Sequence, residues 1–147
     1  MHGMDLNLPL SAIMTTDLII LRPGDSLKAA SDAFRKNNIH HLPVVDLDGF
    51  LVGIFSKSDY LRLGNVWTSF QKNQDMEGSH FHANVTIGEV MTRELVKLSP
   101  TDSISMAVGI FRENLFHSIP LVEKNTLVGL VTTFDLLKYA FQKSGLD

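Results

Sequence analysis

Apolar positions along this chain fall into short runs that switch between two periods, and the whole series occurs twice. The run Leu18-Ile19-Ile20-Leu21, ended by Pro23, and the run Leu95 to Leu98, ended by Pro100, each predict a short strand. After each, an Asp-Ser pair (Asp25-Ser26, Asp102-Ser103) supplies helix N-cap residues, and Leu27, Ala30 and Phe34 or Ile104, Ala107 and Phe111 follow at spacings of three and four. That spacing predicts an amphipathic helix with one buried stripe. Leu42-Pro43-Val44-Val45 and Ile119-Pro120-Leu121-Val122 then read as strands, and the turns Asp46 to Gly49 and Glu123 to Thr126 lead straight into Leu51 to Phe55 and Leu127 to Val131. Each such pair predicts a hairpin. A second helix opens at Ser56/Ser58 or Thr132/Thr133 and carries Tyr60, Leu61 and Leu63, or Leu136, Leu137 and Tyr139.

Laying the chain on itself with an offset of 77 places Leu10-Ser11-Ala12-Ile13-Met14-Thr15 over Ile87-Gly88-Glu89-Val90-Met91-Thr92. Identities continue at Leu18/Leu95, Pro23/Pro100, Asp25-Ser26/Asp102-Ser103, Ala30/Ala107, Phe34-Arg35/Phe111-Arg112, Asn37/Asn114, His40/His117 and Pro43/Pro120. The first copy has one extra residue in its hairpin turn, after which Leu51-Val52-Gly53 lies over Leu127-Val128-Gly129 and Asp59 over Asp135. About 19 of roughly 50 aligned positions are identical, far above what composition alone produces, so the chain is a duplication. The fold expected is α/β (α+β), two βαββα-like repeats over residues 8–63 and 85–141, joined by a polar connector over 64–84. Trp67 and Phe70 in the connector are candidates to pack back onto the body.

Composition narrows the function more than the fold. With 147 residues, 44% hydrophobic and 20% charged, the chain can bury a sizeable core, which excludes a disordered or fibrous class. It has no cysteine, which removes disulfides, thiolate metal sites and thiol catalysis. Net charge is -3 and Lys and Arg are scattered singly, so there is no electrostatic footprint for nucleic acid or an anionic membrane. Asp5 stands where a signal peptide would carry base, and no apolar run approaches the roughly 20 residues a bilayer requires, so a soluble, cytoplasmic protein is expected.

The chemistry concentrates where the hairpin passes into the second helix: Gly53-Ile54-Phe55-Ser56-Lys57-Ser58-Asp59 and Gly129-Leu130-Val131-Thr132-Thr133-Phe134-Asp135. A helix start leaves amide N–H groups without internal partners, and the macrodipole favours an anion there. A hydroxyl at Ser56 or Thr132 adds a donor, while the carboxylate of Asp59 or Asp135 accepts from a diol and repels phosphate, so the combination fits a nucleotide better than a bare phosphate. The same residues are also ordinary helix caps. Retention of glycine, hydroxyl and acid at equal spacing in both copies favours a functional role.

Together with Ile13-Met14-Thr15, Ile39-His40-His41-Leu42-Pro43-Val44-Val45-Asp46 and their counterparts Val90-Met91-Thr92 and Phe116-His117-Ser118-Ile119-Pro120-Leu121-Val122-Glu123, these turns make the chain resemble a tandem pair of cystathionine-beta-synthase (CBS) domains. The resemblance implies a pseudo-twofold symmetric pair that binds adenosine compounds such as AMP, ADP, ATP or S-adenosylmethionine and acts as a regulatory sensor, often as a homodimer. It further implies one site joining Ser56, Lys57, Ser58 and Asp59 to Met91, Val96, His117 and Ser118, and another joining Thr132, Thr133, Phe134 and Asp135 to Met14, Ile19, His40 and His41. In that scheme Asp59 and Asp135 hold ribose hydroxyls, Ser56 and Thr132 touch phosphate or ribose, and the backbone at Ile19 and Val96 reads the adenine edge. Many members carry Arg where this chain has His41 and Ser118, which removes a fixed charge for phosphate and leaves His40, His41 and Lys57 to supply charge, the histidines in a way that depends on pH near neutrality.

Other chemistries find less support. His80-Phe81-His82 alternates in a way that puts two imidazoles on one side of an extended segment, but no third ligand is specified, so no metal site is assigned. No nucleophile elbow, Walker loop or Gly-x-Gly-x-x-Gly is present, so no catalytic residue is assigned and the chain is not read as an enzyme. The competing reading is a ligand-free dimerisation or interaction module, which has no need of a paired hydroxyl and acid in both turns.

Overall fold

The structure, a computed structural model, describes residues 5–70, 83–113 and 116–144. A short 3-10 helix (Leu10–Ala12) is followed by α1 (Leu27–Lys36), β1 (His41–Val45), β2 (Leu51–Ser56), α2 (Lys57–Phe70), a single helical turn α3 (Ile87–Val90), α4 (Ile104–Arg112), β3 (Ser118–Glu123), β4 (Thr126–Thr132) and α5 (Thr133–Ser144). The side chains of Trp67 and Phe70, and all of His80 and His82, lie outside the described residues.

The chain divides into two compact units, Ile19–Leu95 and Met1–Leu18 with Val96–Asp147. Neither unit is one uninterrupted copy. The Met-Thr segment that opens each copy is laid against the hairpin of the other copy, so the repeat that is contiguous in sequence is exchanged in space.

In the unit Ile19–Leu95, β1 and β2 form an antiparallel hairpin with His41 opposite Ser56 and Val44 opposite Gly53. Thr92 is bridged antiparallel to Ile54, the two residues exchanging N–H···O bonds of 2.8 and 3.0 Å. On the other side of β1 the expected strand Leu18–Leu21 is reduced to a single parallel bridge, Leu21 to Val44. The Leu21 N–H donates to the Pro43 carbonyl and the Val45 N–H to the Leu21 carbonyl, both at 2.9 Å. The next rung needs a donor at position 43, and proline has none, so pairing stops there. The core holds Leu21, Leu27, Ala30, Phe34, Leu42, Val44, Phe55, Ile87 and Met91, with the Phe34 ring 6.2 Å from Phe55 and 6.0 Å from Tyr60. Burying each large side chain of this kind contributes about 1.5–3 kcal/mol.

The other unit repeats the plan. β3 pairs with β4, Ser118 opposite Thr132 and Leu121 opposite Gly129. Thr15 is bridged to Leu130 through bonds of 2.8 and 2.9 Å, and Leu98 makes one parallel bridge to Leu121 that ends at Pro120 for the same reason. Leu10, Ile104, Ala107, Ile119, Leu121, Val131 and Tyr139 form its core. The expected strand Leu95 to Leu98 is thus likewise one bridge.

Capping also differs from expectation. Asp25 and Asp102 do not cap the helices that follow. Their carboxylates accept from the N–H of Arg22 and Ser99 at 2.8 Å and tie the Pro23 and Pro100 turns. Ser103 caps α4 by accepting from Met106 N–H, whereas Ser26 at the start of α1 makes no side-chain cap bond. The hairpin turns are built differently too. Lys124 and Asn125 both have positive φ, 49° and 66°, in a two-residue turn, while the longer first turn places Gly49 at φ 87° and wraps Asp48 and Phe50 N–H groups around the Asp46 carboxylate.

Candidate functional site

Gly53 and Gly129 owe their identity to close approach. A Cβ on Gly53 would meet Met91 Sδ at 2.5 Å and the Thr92 carbonyl at 3.0 Å, and one on Gly129 would meet Met14 Sδ at 2.7 Å and the Thr15 carbonyl at 3.3 Å. The exchanged Met-Thr segments cross the hairpins at these points. Met91 is a core residue, 8% exposed.

From each glycine the strand runs three residues to a hydroxyl, and the helix begins at the next residue, Lys57 or Thr133, so the hydroxyl stands at the helix start. In the first turn Ser56 Oγ accepts from Asp59 N–H at 3.0 Å, and Asp59 Oδ2 accepts from Ser56 N–H at 3.2 Å. Thr132 and Asp135 repeat this reciprocal cap, at 3.2 Å from the Asp135 N–H and 2.9 Å from the Thr132 N–H. Ser56 Oγ also lies 3.1 Å from Ser58 Oγ. The first helical amides are partly spent as well: Lys57 N–H donates to the His40 carbonyl at 2.8 Å and Thr133 N–H to the His117 carbonyl at 3.3 Å. Of the first three amides in each helix, only Ser58 N–H and Phe134 N–H are without a partner among the described residues. An anion therefore meets one free amide at each helix start, fewer than the sequence predicts.

The two acids differ in their outer oxygen. Asp59 Oδ1 is paired with the guanidinium of Arg62, whose side chain is 71% exposed. Asp135 Oδ1 instead accepts from the Thr15 hydroxyl at 3.1 Å, and Asp135 is buried. Thr15 lies in the Ile13-Met14-Thr15 motif, but the motif gives it no role, and no motif contains Arg62. The available signals are the Met-Thr identity shared by the copies and the helical spacing of three between Asp59 and Arg62.

The unit Ile19–Leu95 carries Ile19, His40, His41, Ser56, Lys57, Ser58, Asp59 and Met91, with His41 opposite Ser56 across the hairpin. The other unit carries Met14, Val96, His117, Ser118, Thr132, Thr133, Phe134 and Asp135, with Ser118 buried opposite Thr132. Phe134 is 64% exposed, with Lys138 Nζ 5.7 Å from its ring centre. Within each unit the structure brings a turn beside the His-bearing stretch of its own copy and the Met of the opposite copy. The carbonyls of Ile19 and Val96, which a continued ladder would pair with donors at positions 43 and 120, accept no hydrogen bond among the described residues. No cluster of three His, Asp or Glu side chains suited to a metal occurs among the described residues, and no helix there is long and apolar enough to cross a membrane.

Relatives share this plan. The chain is 32% identical over 127 residues to inosine-5'-monophosphate dehydrogenase of Mycobacterium bovis and 29% identical over 133 residues to protein MJ1404 of Methanocaldococcus jannaschii. These matches cover 85% and 86% of the chain but only 21% and 30% of those proteins, so the chain spans under a third of their length. Among solved structures, the CBS domain of a CBS domain containing membrane protein from Sphaerobacter thermophilus superposes with a TM-score of 0.75 at 31% identity, over 91% of this chain and 88% of that one. The same fold is seen in CBSX2 in complex with AMP (TM-score 0.75, 22% identity, 92% and 97% covered). It is seen again in the CBS domain pair of MJ0100 in complex with 5'-methylthioadenosine and S-adenosyl-L-methionine (TM-score 0.68, 24% identity, 88% and 97% covered). With the CBS domain model matched at residues 10–65 and again at 87–142, the chain belongs to the CBS-domain family and carries two copies of that domain.

Proposed function

We propose that this CBS pair is a regulatory module that binds an adenosine compound, from the set AMP, ADP, ATP and S-adenosylmethionine, and passes its occupancy to a partner. The observation that carries the reading is the unpaired carbonyl at Ile19 and at Val96, left in both copies by a proline in the adjacent strand. A scaffold gains nothing from withholding that rung twice, whereas an adenine amino group is a donor suited to such an acceptor. The strand-to-helix turns supply the complementary groups: Asp59 or Asp135 for ribose hydroxyls, Ser56, Lys57, Ser58 or Thr132 for phosphate, with His40, His41, His117, Ser118, Thr133 and Phe134 beside them. CBS pairs of the same fold bound to AMP, or to S-adenosylmethionine and 5'-methylthioadenosine, support the ligand class.

Regulation is the role proposed for the CBS pair itself, and the match to 21% of the dehydrogenase carries no activity over to it. A ligand shifts a partner only through different affinity for two arrangements of the protein. The module is proposed to act as a cytoplasmic homodimer, which gel filtration with light scattering checks. Native mass spectrometry against AMP, ADP, ATP, S-adenosylmethionine, NADH and a cyclic dinucleotide tests the ligand class. At least one of the first four is expected to bind more tightly than about 1 mM, and binding by none of them rejects the reading in favour of a ligand-free interaction module.

A further inference from the structure

Resting on the adenosine reading above, we infer that the two turns are not equally recruitable: the Ser56–Asp59 turn is open to a ligand diol, and the Thr132–Asp135 turn is closed by Thr15, so one ligand binds per chain. Both acids commit one oxygen to the helix cap, and the difference lies in the other. Among the described residues Asp59 Oδ1 is held only by Arg62, whose side chain is 71% exposed against 17% for that of Asp59, so a ligand can turn the guanidinium out into solvent while the carboxylate stays in place. Once displaced, the guanidinium remains one helical turn away as a cation for phosphate, in a chain that lacks Arg at positions 41 and 118. Asp135 Oδ1 is bonded to a hydroxyl whose backbone is itself fixed by two bonds to Leu130. Thr132 Oγ1 also lies 3.2 Å from Asp135 Oδ2, adding to the polar contacts of this buried carboxylate. Recruiting Asp135 means exchanging bonds already made for bonds of the same kind, with no net gain. At the matching place in the first turn, Thr92 makes no bond to Asp59.

Calorimetric titration of the full chain with AMP and, separately, S-adenosylmethionine reads the stoichiometry. The unsubstituted protein is expected to take one ligand per chain, and Asp59→Asn to weaken it about tenfold or more, because an amide no longer offers two anionic acceptors. Thr15→Val keeps the size and the backbone bridge but removes the hydroxyl. It is expected to raise the count from one to two, and adding Asp135→Asn to remove the second event alone. Two ligands per chain in the unsubstituted protein, a count that stays at one in Thr15→Val, or full binding in Asp59→Asn overturns the inference while leaving the adenosine reading standing. Absence of binding of AMP and S-adenosylmethionine, and of ADP and ATP titrated in the same way, in every variant rejects both.

Discussion

A single hydrogen atom's worth of space at positions 53 and 129 decides whether the exchanged segments can cross their hairpins. Gly53→Ala pushes a methyl against the Thr92 backbone, which cannot rotate away, so a loss of about 1–3 kcal/mol is expected from urea denaturation. Gly129→Ala meets mainly the flexible end of Met14, and the backbone contact is looser at 3.3 Å, so its cost is expected below that of Gly53→Ala. The reverse order contradicts the crossing geometry. At the second hairpin, Lys124 and Asn125 occupy left-handed conformations that suit Asn and Gly better. The double change Lys124→Asn, Asn125→Gly is therefore expected to stabilise by about 0.5–1 kcal/mol, seen as a higher midpoint with unchanged slope.

At the scale of elements, proline sets the width of each sheet. Pro43→Ala supplies the missing donor, and the new amide at position 43 is expected to show slowed hydrogen exchange as it pairs with the Ile19 carbonyl, together with weaker binding of AMP. Exchange at the unstructured rate means that the ladder ends for some other reason. This also explains which elements the sequence makes legible. The hairpins and α1, α2, α4 and α5 follow from patterns within a few residues, such as Leu27, Ala30 and Phe34 on one face. The run Leu18–Leu21 looks like a strand because it is apolar, yet the residue that shortens it sits in another strand. The Thr15–Asp135 bond spans 120 positions, and no local pattern announces it. Asp25 looks like a cap and serves the preceding turn instead, because both roles need only a carboxylate near a free N–H.

For the whole molecule, the exchange of opening segments means that each unit depends on residues from both copies. Leu10 is completely buried beside Ile104, so Leu10→Ala is expected to cost about 2–5 kcal/mol and to speed exchange in β3 and β4 more than in β1 and β2. Ile87→Ala is expected to do the opposite. Equal loss throughout after either change contradicts the division into units. The central claim is that an adenosine compound binds at the strand-to-helix turns, and an AMP titration followed by backbone amide NMR tests it most directly. The predicted result is saturable shifts that centre on Ser56 to Asp59 and include Ile19 or Val96; no saturation up to about 5 mM by AMP or, in the same assay, by ADP, ATP or S-adenosylmethionine, or shifts centred away from both turns, contradicts it.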